Sequence, residues 1–295
     1  MAQAQETRAL LAKAHGIDPE QIEIVKFVST GDRLKDQPLS EVGGKGLFTK
    51  EIDAALLSGE IDIGVHSTKD VATTLPPGMA MPAFLEREDV RDAFISLVAR
   101  GIDYLPERSK FGTSSIRRAA QVRRLRPDLE IVPFRGNVQT RIQKLMDGVA
   151  SATLLAMAGL KRSGEDHRVT AILDAEEFMP APAQGAIGLA IRESDTRARD
   201  LVAPLDHQPT NTAITAERAM LELLDGSCRT PVGALSRLEG GTLTLRGEIL
   251  SLDGQTAFED LVTGDADDAF ELGTALGRKL IEMAGPDFLT RWSAR

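Results

Sequence analysis

One cysteine, one tryptophan and one tyrosine in 295 residues are the scarcities that first limit this sequence. A lone thiol cannot form an internal disulfide, so packing alone must hold the fold, and a reducing compartment, the cytoplasm, is the expectation. Aromatic residues make up only 4% of the chain, too few for the stacking platforms on which single-stranded nucleic acids lie. Long apolar runs are missing, which argues against membrane-spanning helices. The opening MAQAQETRALLAKAHG has no basic region followed by an apolar one and does not read as a secretory signal. A formal charge of −9 disfavours a polyanion as main partner. The histidines His15, His66, His167 and His207 are scattered without ligand spacing, so no metal site is expected. GGKGLF (43–48) lacks the hydroxyl residue and the spaced glycine of a phosphate loop, and no dinucleotide glycine pattern or nucleophile elbow occurs.

What is present is an alternation. QIEIVKFV (21–28), IDIGVH (61–66), AFISLVA (93–99), LEIVPF and ATLLAMA read as strands, and helical patterns stand between them. GLFTKEIDAALLSG (46–59) predicts a helix closed by Gly59, and SSIRRAAQVRRLRP one capped by serine and stopped at Pro127. NVQTRIQKLMDG predicts another. Such alternation implies α/β units with parallel-dominated mixed sheets. From about residue 209 the pattern changes to a helix, a meander with Gly-Gly and Asp-Gly turns, and a long final helix. That is a separate α+β unit with an antiparallel sheet.

Charge is unevenly distributed. Residues 111–141 hold seven arginines against two acids inside an acidic protein. Arg123, Arg124 and Arg126 continue down a helix and read as a solvated face. Arg117 and Arg118 fall in its first turn, where the helix dipole disfavours cations unless an anion joins them. Thr113, Ser114 and Ser115 add hydroxyls there. Arg135 follows a strand directly and Arg141 lies one turn into the next helix, so several strand ends aim cations at one crevice. Guanidinium forks match carboxylates in pairs, which points to a ligand carrying several. HSTKD (66–70) ends another strand, and Asp70 reads either as a turn residue or as a group facing the ligand crevice. Cys228, in the loop LLDGSCRTPVG beside Arg229, is open to two readings: a small structural residue, or a thiolate favoured by its neighbouring cation.

Taken together, VGGKGLFTKE, DIGVHSTKDV, EREDVRDAF, GTSSIRR, RGNVQTR, LAMAGLKR, PAQGAIG and GSCRTPVG resemble, in order and spacing and over essentially the whole chain, the porphobilinogen deaminase (hydroxymethylbilane synthase) family. The resemblance implies two domains like the halves of a type II periplasmic binding protein, joined by crossovers near EREDVRD and PAPAQG, plus the α+β domain. The boundaries are residues 1–86 with 186–204, then 87–185, then 205–295. It implies a transferase that condenses four porphobilinogen molecules, with loss of ammonia, into hydroxymethylbilane for tetrapyrrole biosynthesis. The chain would grow from a dipyrromethane primer held as a thioether on Cys228. By motif, Asp70 matches the catalytic aspartate. Lys69, Ser115, Arg117, Arg118, Arg135, Arg141 and Arg162 resemble the carboxylate-holding residues, and Thr113, Ser114 and Gln184 add hydrogen bonds. Lys45 and Phe48 adjoin the mobile lid. A cytoplasmic monomer is implied, with no nucleic-acid or membrane partner.

The chain departs from the pattern at its start. The family opens with a strand and a G-T/S-R-x-S-x-L-A-x-x-Q signature, and MAQAQ matches only the tail of it. The expectation is that the native start lies upstream, the alternative being a shortened chain; as written, reduced stability and activity are expected. Ser227 and Ala183 replace common glycines, and Glu41 takes a lid position that is often basic. Two rivals remain at this stage: a non-catalytic anion-binding protein of the periplasmic-binding architecture, and a nucleic-acid module using the 117–126 helix.

Overall fold

The structure is a computed structural model and describes residues 1–28, 49–224 and 231–293, with side chains through residue 288. The chain opens with helix α1 (Ala2–His15), closed by Gly16 in the left-handed conformation. Helix α2 (Lys50–Ser58) ends at Gly59 with φ 80°, as the sequence predicts. Strand β1 (Gly64–Ser67) runs into a 3₁₀ turn (Thr68–Asp70), and β2 (Met79–Phe84) completes the outbound pass. Then come β3 (Asp92–Ser96), β4 (Lys110–Gly112), α3 (Ile116–Leu125), β5 (Glu130–Val132), α4 (Val138–Met146), β6 (Ala152–Ala156), α5 (Met157–Ser163) and β7 (Ala171–Ile172). The chain returns through β8 (Ile187–Arg192) and α6 (Thr196–Val202). Helix α7 (Gln208–Leu223), strands β9 (Val232–Glu239), β10 (Thr242–Leu250) and β11 (Ala257–Asp265), and helix α8 (Ala269–Ser293), broken at Gly285, complete it.

These strands form three sheets. The first has the order β1-β8-β2, with both pairs antiparallel. The second, β5-β4-β6-β3-β7, pairs β4 parallel with β5 and β6, and β3 antiparallel with β6 and β7. The third is the antiparallel meander β11-β10-β9. Its turns fall where glycine supplies positive φ, at Gly240-Gly241 and at Gly254. The α/β class and the separate antiparallel sheet therefore hold, while parallel pairing among the described residues is confined to β4 and its neighbours.

The second sheet is covered on both faces because its strands alternate two apolar sets. Phe94 and Leu154 pack with Phe111 and Val122 on one side; Ile95 and Leu155 pack with Phe134 and Leu160 on the other. In the third sheet Leu243 and Leu245 meet Met220 of α7 and Leu276 and Leu280 of α8. Each such fully buried side chain contributes about 1.5–3 kcal/mol.

Three expectations are corrected. Residues 22–28 are not a strand: they belong to no sheet, with Val25 and Val28 exposed. β propensity forms a strand only where a neighbour can take the backbone hydrogen bonds, and none of the described residues does so. The strand expected to run to residue 99 stops at Ser96, whose Oγ accepts from the backbone N–H groups of Val98 and Ala99 and turns the chain. Arg123, Arg124 and Arg126 are not a simply solvated face. Arg123 donates to the Leu252 carbonyl and Arg124 pairs with Glu248, docking α3 on the third sheet, while Arg126 pairs with Asp128 and binds the carbonyls of Ile102 and Leu105.

Candidate active site

Asp70 sits where the first sheet meets the return crossover. β1 ends at Ser67, Thr68 N–H donates to the Ala186 carbonyl at 3.1 Å, and the 3₁₀ turn then presents Lys69 and Asp70. Lys69 Nζ donates to Gln184 Oε1 at 3.3 Å. The Gln184 amide nitrogen donates in turn to the Val90 carbonyl and to Asp92 Oδ1, at 2.7 and 2.8 Å. One glutamine thereby ties the first sheet to both crossovers.

Asp92 is the hub. It is completely buried at the start of β3 and accepts from Arg117 Nη2 at 2.8 Å, Arg118 Nη2 at 2.7 Å and Arg118 Nε at 3.2 Å. Burial opposes its ionisation, but the two guanidinium groups outweigh that and hold its carboxyl well below the ordinary range. Here is the anion that two cations in the first turn of α3 require. The helix begins as the sequence implies, with Ser115 as N-cap accepting from Arg118 N–H. Thr113 Oγ1 accepts from Ser115 N–H and Ser114 Oγ from Phe134 N–H, so these hydroxyls brace the β4–α3 turn. Arg118 also donates to the Leu154 carbonyl, and Arg117 to Gln121 and the Met179 carbonyl.

The remaining cations gather around the same point. Burial pushes the Arg141 guanidinium down to about 10; neighbouring Arg118 and Arg135 push the same way and Asp70 opposes them. Burial likewise lowers the Lys69 ammonium to about 8, opposed by Asp70 and Asp92 and reinforced by Arg118 and Arg117. Arg141 is oriented by donating to the Gly136 carbonyl at 2.7 Å. Lys69, Arg117, Arg118, Arg135 and Arg141 thus share one electrostatic neighbourhood with Asp70. Arg162 is placed differently: it donates to Glu6 of α1 at 3.2 Å and to the Gly185 carbonyl at 3.1 Å. Lys45, Phe48 and Cys228 lie outside the described residues.

A cavity of about 320 Å³ opens beside Asp70, lined also by Gln3, Phe27, Thr49, Ile52 and His66. His66 is buried on β1, its Nε2 3.9 Å from Asp53 Oδ1, and burial lowers its imidazole to about 4. A larger depression of about 440 Å³, between the outbound crossover and β9, is not lined by Asp70. Arg117 Nε and Thr68 Oγ1 are buried without a hydrogen-bond partner among the described residues. A crowded cation set with an orphaned donor fits a ligand rich in carboxylates.

Sequence reasoning passed over Asp92 and, on α7, Glu217, which pairs with Arg87, and Arg218, which donates to the carbonyls of Val71, Ala72 and Thr73. Asp92 had one signal: two arginines at a helix start demand an anion, and EREDVRD supplies acids at the crossover. The others are recognisable only from contacts distant in sequence.

Lys69, Arg118, Arg135 and Arg141 gathered around Asp70, beside the buried Arg117–Asp92–Arg118 cluster, make an α/β protein with an added antiparallel unit whose site suits a small ligand carrying several carboxylates. The model of the porphobilinogen deaminase dipyromethane cofactor binding domain matches residues 1–200, and that of the porphobilinogen deaminase C-terminal domain matches residues 211–282. A porphobilinogen deaminase of Nitrobacter hamburgensis is 51% identical over 290 residues, covering 98% of this chain and 92% of that protein. Among solved structures, protein PG110 of Staphylococcus aureus covers 93% of this chain and 95% of its own at 13% identity and a TM-score of 0.43. A periplasmic substrate-binding protein of an ABC transporter from Coxiella burnetii covers 72% of this chain and 93% of its own at 14% identity and a TM-score of 0.42. The chain belongs to the porphobilinogen deaminase family. It is a transferase of tetrapyrrole biosynthesis that joins porphobilinogen units into hydroxymethylbilane on a dipyrromethane cofactor. The non-catalytic receptor reading is not favoured. Among the described residues no helix is long and apolar enough to cross a membrane.

Proposed function

We propose that Asp70 is the carboxylate that steadies the cation formed when porphobilinogen loses ammonia. Breaking the C–N bond of the aminomethyl group spreads positive charge onto the pyrrole ring, and an adjacent carboxylate lowers the energy of that state. After the new C–C bond forms, the pyrrole α-proton must leave, and the same carboxylate can carry it. The dipyrromethane, joined to Cys228 as a thioether, supplies the pyrrole carbon to which units add. Lys69, Arg117, Arg118, Arg135, Arg141 and Arg162 hold acetate and propionate groups, with Thr113, Ser114, Ser115 and Gln184 as hydrogen-bonding support.

The observation that carries this reading is the convergence of Lys69, Arg118, Arg135 and Arg141 on the surroundings of Asp70. Arg117 and Arg118 reach a ligand while sharing their forks with Asp92, and Arg162 by exchanging the Glu6 carboxylate for a ligand's. The three sheets support a division into residues 1–86 with 186–204, 87–185 and 205–295. We take the protein to act as a cytoplasmic monomer. Intact mass of the full chain tests the core of the reading. A dipyrromethane-sized increment that vanishes in Cys228→Ser is expected, together with a fall of about 10²-fold or more in kcat for Asp70→Asn. An increment that survives in Cys228→Ser, or wild-type turnover by Asp70→Asn, would overturn the corresponding assignment.

A further inference from the structure

Arg218, on α7, spends its charge on backbone. Its Nη1 donates to the Val71 carbonyl at 3.3 Å, and Nη2 to the carbonyls of Ala72 and Thr73 at 2.6 and 2.9 Å. These three peptide units follow Asp70 directly and belong to no regular element. One turn further along α7, Glu222 Oε1 accepts from Thr74 Oγ1 at 3.3 Å. On the preceding residue of α7, Glu217 takes Arg87 in a two-point ion pair and accepts from Ala183 N–H, so the same turn of helix also holds both crossovers. Burial pulls the Arg218 guanidinium down from its ordinary value, with Glu222 opposing. A half-buried cation aimed at three successive carbonyls is a costly arrangement unless the geometry it imposes matters.

From this placement we infer that Arg218 is a positioning residue: it fixes the backbone from Val71 to Thr73 and thereby the direction in which Asp70 enters the cleft. The planar fork of a guanidinium can span three carbonyls, whereas an ammonium offers a single point and an amide one nitrogen. Arg218 stands ten residues before Cys228 in the sequence. The tie therefore makes the placement of Asp70 and of α7 one variable. A displacement of about 1 Å at a reacting group is enough to lose on the order of 10²-fold in rate.

The inference rests on Asp70 being the catalytic carboxylate. Its test uses Arg218→Gln and Arg218→Lys in the full chain, with kcat and KM for porphobilinogen measured per cofactor-bearing molecule and Asp70→Asn and wild type alongside. Arg218→Gln is expected to lose about tenfold to 100-fold in kcat with KM within about threefold, and Arg218→Lys to recover part of it. A kcat for Arg218→Gln within twofold of wild type, or a loss confined to KM, overturns the inference. If Arg218→Gln does not fold, Arg218→Lys is judged by the same kcat criterion; failure of both to fold makes Arg218 a structural brace and also overturns it. Wild-type kcat in Asp70→Asn instead removes the Asp70 assignment, whatever Arg218 does.

Discussion

Arg118 holds Asp92 at two points, Nη2 to Oδ1 at 2.7 Å and Nε to Oδ2 at 3.2 Å, and Arg117 closes on the same carboxylate from the side. Two cations thus share one buried anion, which leaves the cluster positive before any ligand arrives. This is the arrangement a carboxylate-rich chain of pyrroles needs, because Asp92 keeps the forks ordered without neutralising them.

Asp92→Asn would strand both guanidinium groups in a buried site. Removing one partner of such a pair costs about 3–5 kcal/mol, so chemical denaturation is expected to report a loss of that order. A change below about 1 kcal/mol would show that the pair is replaceable by solvent.

Arg141 is oriented by the Gly136 carbonyl and unpaired with Asp92. Arg141→Met removes one charge-assisted fork, worth about 1.5–3 kcal/mol. We expect KM for porphobilinogen to rise about 10- to 100-fold with a smaller effect on thermal stability; an unchanged KM would exclude Arg141 from substrate binding.

His66 makes stability depend on pH. Its folded value of about 4 lies below the ordinary 6.5, so between these values the unfolded chain binds more protons and stability falls as pH drops from 6.5 to 4. Asp53 of α2 lies 3.9 Å from its Nε2, and Glu51 of α2, Ser67 and Asp70 line the same cavity. His66→Gln is expected to flatten this window by about 3 kcal/mol. Parallel stability–pH curves for the two proteins would place the acid sensitivity elsewhere.

Gly185 lies where the crossovers touch. Its φ is 90°, and a Cβ there would stand 2.4 Å from the Glu88 carbonyl oxygen. Gly185→Ala combines backbone strain with a clash against main chain and is expected to destabilise by about 2 kcal/mol or more. Its activity should suffer as well, since Gln184 would be displaced from Lys69 and Asp92; wild-type melting and turnover would contradict this.

Much of the molecule is written locally. Ser115 and Asn137 as caps, Gly59 as a stop and Gly240-Gly241 as a turn follow from side-chain hydrogen bonding and backbone freedom within a few residues. For the same reason the ordered motifs from DIGVHSTKDV to PAQGAIG, short signatures with fixed spacing, were enough to place the chain in its family. What required the tertiary structure was the choice of partner. That Arg117 and Arg118 turn inward to Asp92, that Arg123 and Arg124 dock α3 on the third sheet, that residues 22–28 stay out of any ladder, and that Arg218 grips the backbone beside Asp70 all depend on groups brought together from far along the chain. A residue's own neighbours set its conformation. Only the packed fold sets the dielectric around a charge and the counter-charge it meets, and those two quantities decide what the site can bind.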